Sequence, residues 1–144
     1  MATYDYKHVK DIALLGHAGC GKTTLAECML FDAGITKRPG SIAAKNTVSD
    51  YHELETERES SVFASLLHTT WKDYKINIID TPGYDDFAGE VISALRVADT
   101  GVIVLNAAMG VEVGTDITWE YTNTFKTPTI FVVNQIDNAD ADFE

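Results

Sequence analysis

Positive charge and cysteine are both scarce in these 144 residues, and each shortage excludes something. Eleven Lys and Arg stand against 22 Asp and Glu, a formal net charge of -11, so the chain has no generally basic surface for nucleic acid and free DNA is not an expected partner. Two cysteines, Cys20 and Cys28, make neither a disulfide framework nor a metal-ligand cluster, and a reducing, cytoplasmic setting is the default. No apolar run approaches membrane-spanning length, and the start Met-Ala-Thr-Tyr-Asp-Tyr-Lys-His lacks the apolar segment of a secretory signal. A soluble protein with no membrane partner is expected. What is present is an ordinary apolar share, 45%, on a length that suits one domain with its own core.

The chain is organised around residues 16–24, Gly-His-Ala-Gly-Cys-Gly-Lys-Thr-Thr, which follow the apolar run Ile12-Ala13-Leu14-Leu15. They fit the phosphate-loop pattern G-x-x-x-x-G-K-[ST]. Backbone N–H groups must converge on a polyphosphate, and glycine at Gly16, Gly19 and Gly21 keeps side chains out of their way. Lys22 can neutralise the outer phosphates, and Thr23 offers a hydroxyl to Mg²⁺. A bare glycine turn is the competing reading, and the strand before the loop and the helical pattern after it weigh against that.

Apolar periodicity predicts a buried strand over 9–15 and a helix over 22–33 with Leu25, Met29 and Leu30 on one face. Periodicity fades over 35–61, where Pro39, Gly40 and charges including Glu53, Glu55, Glu57, Arg58 and Glu59 accumulate. So long a connection is usually functional or mobile, and most of its charges read as a solvated face. Strands over 62–71 and 75–80 are spaced as a hairpin around Lys72-Asp73-Tyr74. A helix over 90–97, a strand over 101–105, a helix over 115–125 bounded by Gly114 and Pro128, and a strand over 129–133 complete the pattern. Strands alternating with helices imply a three-layer α/β fold, mainly parallel, with one antiparallel edge strand. Cys20 reads as a small filler and Cys28 as core, while Trp71 and Trp119 read as packing.

Two further stretches end strands, where ligands bind in an open α/β sheet. Asp80-Thr81-Pro82-Gly83 brings a carboxylate suited to Mg²⁺ and, in Gly83, a free N–H for a γ-phosphate. Asn134-Gln135-Ile136-Asp137 resembles the guanine-reading N-K-x-D motif with Gln135 in the lysine position. Asp137 is suited to accept two hydrogen bonds from guanine, a pair that adenine cannot present.

On these residues the chain resembles the N-terminal part of the GTP-binding domain of translational GTPases, the elongation factor G family and its G2-like paralogues. Residues 1–144 are then one such domain of P-loop NTPase, Ras-like fold, cut short before its final strand. The resemblance implies GTP or GDP with Mg²⁺, conformational switching for the ribosome through the full-length protein, and hydrolysis of GTP to GDP and phosphate. A switch with little or no hydrolysis and a ribosomal-protection-type GTPase are the alternatives. By the same resemblance the nucleotide-binding set is His17, Ala18, Gly19, Cys20, Gly21, Lys22, Thr23, Thr24, Asn134, Gln135 and Asp137. The metal set is Thr23, Ser61 and Asp80, and the catalytic set is Tyr84, Lys22 and Gly83. The departures fall on hydrolysis. Tyr84 replaces the histidine that positions the attacking water, Gly19 an aspartate, Ala18 and Ser60 two bulky apolar residues, and Glu59 a glycine. A histidine stands at position 17 in the family without a catalytic role, so the His17 ring reads as structural.

Overall fold

The computed structural model describes residues 4–58 and 60–141. Among them, five strands form one sheet in the order β2-β3-β1-β4-β5: β1 (Val9–Leu15), β2 (Ser65–Trp71), β3 (Tyr74–Asp80), β4 (Thr100–Asn106) and β5 (Thr129–Asn134). All neighbouring pairs are parallel except β2 with β3, so the carboxyl ends of β1, β3, β4 and β5 meet along one rim. Helices α1 (Lys22–Asp32), α2 (Glu53–Arg58), α3 (Ala88–Leu95) and α4 (Val113–Phe125) fill the connections.

Strand β1 is central because both of its faces are apolar. Leu14 points to one layer, with Ile78, Val102, Val104 and the α1 residues Ala26 and Leu30. Ala13 and Leu15 point to the other, with Ile103 and the α3 residues Val91, Ala94 and Leu95. Period-two alternation thus serves two cores, the signature of a strand covered on both sides.

The expected mainly parallel three-layer fold is present, with corrections of detail. The first hairpin strand begins at Ser65, not at residue 62, because the Val62 and Phe63 amides are taken by the Glu55 carboxylate at 3.0 and 3.1 Å instead of a ladder partner. Tyr74 pairs with Trp71, so the hairpin turn is Lys72-Asp73 alone, with Lys72 left-handed at φ 53°. Gly114 lies inside α4, whose start is set by a capping box between Glu112 and Thr115. Cys28 is exposed rather than core, since it sits on the α1 face opposite Leu30. Trp71 and Trp119 remain 54% and 43% exposed, with the Trp119 ring against Phe131 at the β5 side.

Candidate functional site

The turn from β1 into α1 is left-handed three times, at Gly16, Gly19 and Gly21 (φ 126°, 79° and 95°), a path that side-chain-bearing residues avoid. It wraps the Lys22 ammonium, which donates to the carbonyls of Gly16 at 2.9 Å and His17 at 2.8 Å and is almost fully buried. The turn after β3 presses on the same loop. A Cβ at Gly83 would fall 2.6 Å from the Ala18 nitrogen and 2.5 Å from Lys22 Nζ, so only glycine permits this approach. A cavity of about 240 Å³ opens between them, lined among others by Gly19, Lys22, Thr23, Ser61, Gly83 and Tyr84.

On its floor lies a chain of oxygen atoms. Thr23 Oγ1 donates to Asp80 Oδ2 at 2.8 Å, Ser61 Oγ donates to Asp50 Oδ1 at 2.7 Å, and the two hydroxyl oxygens are 3.2 Å apart. Each hydroxyl has one proton, and each has a carboxylate as its nearer acceptor. The contact between the two oxygens is the longest link of this chain, either hydroxyl can be its donor, and with the Asp80 carboxylate it gathers the oxygen ligands that a hard cation takes. Adjacent ligands of octahedral Mg²⁺ stand about 3 Å apart, since each lies roughly 2.1 Å from the metal. Asp80 Oδ1 is buried without a hydrogen-bond partner among the described residues. Burial pushes the Asp80 carboxyl up to about 6, against the pull of the Thr23 hydrogen bond and the Lys22 ammonium. Burial also raises the Asp50 carboxyl, against its hydrogen bond from Ser61. Thr23, Ser61 and Asp80 fit a magnesium ion, which takes hydroxyl, carboxylate and phosphate oxygens and water. No three of His, Cys, Asp and Glu come together as a metal cluster among the described residues, which a site of this composition does not need.

The end of β5 reaches the same loop from the other side. Asn134 Nδ2 donates to the Cys20 carbonyl at 3.0 Å and Gln135 Nε2 to the Gly19 carbonyl at 2.9 Å. Gln135 is itself left-handed at φ 59°, which turns the chain outward, and Asp137 is exposed beyond the cavity lining. Thr24 lines the cavity from the solvent side. Cys20 is 1% exposed and packs in the core as expected of a filler, and burial raises its thiol well against the opposing Lys22 charge. His17 turns away from the cavity, its ring against Gly114 and its Nε2 3.5 Å from the Glu112 carboxylate. Tyr84 is half exposed at the junction of the cavity and a narrow slot walled by Val91 and Tyr121.

The family model described as the elongation factor Tu GTP binding domain matches residues 7–144. This chain belongs to that family. It is 41% identical over 136 residues to the ribosome-releasing factor 2, mitochondrial, of Drosophila melanogaster, covering 94% of this chain and 18% of the relative. It is 34% identical over 143 residues to elongation factor G of Granulibacter bethesdensis, covering 99% and 21%. A crystal structure from Thermus thermophilus superposes with a TM-score of 0.91 at 32% identity, over 94% of this chain and 20% of that one. The chain therefore spans about a fifth of the length of the relatives it matches. The architecture is the P-loop GTPase fold of elongation-factor-G-like proteins. Among the described residues no helix is long and apolar enough to cross a membrane.

Lys22, Thr23, Ser61, Gly83, Tyr84 and Gln135 line one cavity, Asp80 lies behind it on the Thr23 hydroxyl, and Asp137 and the His17 ring lie off it. Glu59 lies outside the described residues. Sequence reasoning missed Asp50, Glu27, Glu55 and Asn106. The expected solvated face fails at Glu55, which is 1% exposed because its carboxylate holds the backbone of the following loop. No local pattern marks these residues, since their partners lie on other segments.

Proposed function

We propose that residues 1–144 are the guanine-nucleotide domain of an elongation-factor-G-like translation factor. It binds GTP or GDP with Mg²⁺ and acts on the ribosome through the full-length protein. The observation that carries this reading is the oxygen cluster beside the phosphate loop, in which the Thr23 and Ser61 hydroxyls stand 3.2 Å apart and each reaches a carboxylate. Thr23, Ser61 and Asp80 would hold the metal, which when bound offsets phosphate charge. The loop amides of residues 18–24 and Lys22 take the phosphates, and Asn134, Gln135 and Asp137 serve the base. The relatives named ribosome-releasing factor 2 and elongation factor G support the ribosome as partner. The reading keeps the cytoplasm as the setting. The relatives named mitochondrial make that organelle the alternative, which cell fractionation separates.

Hydrolysis joins a water oxygen to the γ-phosphorus and breaks its bond to the bridging oxygen, leaving GDP and phosphate. The protein contributes position and charge. Lys22 and the Gly83 amide face the phosphate side of the cavity. Tyr84 stands where the family's water-positioning histidine does, and its phenol brings no positive charge. A positioning group contributes about 10² to 10⁴ in rate, so hydrolysis slower than that of ordinary elongation factor G by that order is expected. Single-turnover phosphate release, with and without ribosomes, on wild type, Tyr84→His and Tyr84→Phe tests this. Acceleration in Tyr84→His supports the reading. A fast wild type that collapses in Tyr84→Phe would show that the tyrosine has taken over the role.

Base choice is tested by titrating fluorescent GDP and ADP. At least tenfold preference for guanine, about 1.4 kcal/mol, is expected, and Asp137→Asn should move preference toward xanthine nucleotides. Equal affinities would sink the guanine assignment.

A further inference from the structure

The amide of Gln135 makes two hydrogen bonds of opposite sense. Nε2 donates to the Gly19 carbonyl at 2.9 Å, while Oε1 accepts from Asn106 Nδ2 at 2.8 Å. Asn106 in turn accepts, through Oδ1, from the Ala108 backbone N–H at 2.9 Å. A backbone N–H can only donate, so it fixes which end of the Asn106 amide is oxygen. That leaves Nδ2 as the donor to Gln135, which fixes the Gln135 amide in turn and presents its N–H to the phosphate loop. The polarity of the whole series is thus set at Ala108 and delivered at Gly19. Asn106 is anchored for this task, because its own carbonyl accepts from Gly110 at 2.8 Å and from Met109 at 3.2 Å.

The geometry points to Asn106 as a positioning residue that orients Gln135 and so ties the phosphate loop to the turn after β5. An ammonium at position 135 donates only, and would have no acceptor to offer Asn106. The asparagine and the glutamine therefore belong together, and a carboxylate with a lysine is the matching alternative pair. That this tie matters for guanine nucleotides rests on the function proposed above. The tie itself does not.

The test is a double-mutant cycle in the full-length protein with Asn106→Asp, Gln135→Lys and both together. Two quantities are read: affinity for fluorescent GDP and ADP, and amide hydrogen exchange of the phosphate loop without nucleotide. In Asn106→Asp the new carboxylate still accepts from Ala108 but turns the Gln135 amide over, setting oxygen against the Gly19 carbonyl. GDP affinity is expected to fall on the order of tenfold and loop exchange to quicken. Gln135→Lys alone should weaken binding too, because Asn106 Nδ2 then faces an ammonium. In the double variant the ammonium donates to both the carboxylate and the Gly19 carbonyl, and both readouts should return to within about twofold of wild type. A general loss of packing gives two additive losses and no such rescue. A double variant no better than the worse single variant, or an Asn106→Asp protein unchanged in both readouts, overturns the proposal. Rescue of loop exchange in a protein that binds neither nucleotide would uphold the tie and reject the guanine reading. Tight GDP binding without coupling would do the reverse.

Discussion

Asp80 is held at odds with its surroundings. Burial, with the Asp50 carboxylate nearby, pushes its carboxyl up to about 6 from the 3.8 of an ordinary aspartate, against the pull of Thr23 and Lys22. A raised folded-state value means that the native protein binds the proton more tightly than the unfolded chain does. This group's contribution is therefore most favourable below about pH 4 and is lost as pH rises through the window from 3.8 to about 6. The shift corresponds to about 3 kcal/mol at most. Asp50, raised in the same direction, adds to the same trend. Asp80→Asn should stabilise the nucleotide-free protein at pH 7 by about 1 to 2 kcal/mol, less than the full shift because the carboxylate's attraction to Lys22 and its charged hydrogen bond from Thr23 are lost with it. It should also abolish the effect of Mg²⁺ on GDP affinity. Urea denaturation from pH 4.5 to 7.5 reads the first effect, and an unchanged slope in the variant would contradict this assignment of the strain. Lys22, Thr23 and Asp80 were legible in the sequence because contiguous motifs carry them. Asp50 was not, since its meaning depends on Ser61, eleven residues on, and on a hydroxyl from α1.

At the scale of elements, residues 35–58 and 60–64 are held by carboxylates more than by a core. Glu27 on α1 accepts from the Gly40 and Val48 amides at 3.0 and 2.5 Å, Glu55 on α2 from Val62 and Phe63, and Glu90 on α3 from Ala64 at 2.8 Å. Three helices thus hold one connection by its backbone, and little apolar surface is at stake. Such a segment opens locally at lower free energy than the sheet does, which suits a loop that must respond to a bound phosphate. Glu55→Ala removes the acceptor of three amides, those of His52, Val62 and Phe63, at about 1 to 3 kcal/mol for each that stays buried, and the loop can avoid that cost by opening. We expect faster hydrogen exchange and proteolysis within residues 47–63 with little change in global stability. Uniform loss of protection across the sheet would show that Glu55 serves the whole fold instead. Strands and helices were readable to within a few residues because apolar periodicity reports burial directly. This loop was not, because a glutamate that binds backbone has the same local appearance as one that meets water.

For the molecule as a whole, the unbalanced feature is the β5 side. Among the described residues β5 ends the sheet order with no partner on its outer edge, and Ile130, Phe131 and Val133 are 54%, 51% and 38% exposed. Beside it an apolar recess of about 420 Å³ runs between α1 and the hairpin, walled by Leu25, Met29, Trp71, Ile76, Val102 and Val132. An unpaired strand with apolar side chains on both faces is a template for pairing with another chain. The net charge of -11 opposes that association at long range, but salt screens it within about 10 Å at 0.1 M. These 144 residues, prepared alone, should therefore self-associate, and more strongly as salt is raised. Ile130→Lys should keep them monomeric, because it sets a charge on the edge strand and in the wall of the recess. Light scattering across a wide concentration range at low and high salt measures both. A wild-type chain that stays monomeric throughout, or association that Ile130→Lys leaves intact, would mean that the β5 edge is not the surface through which copies meet.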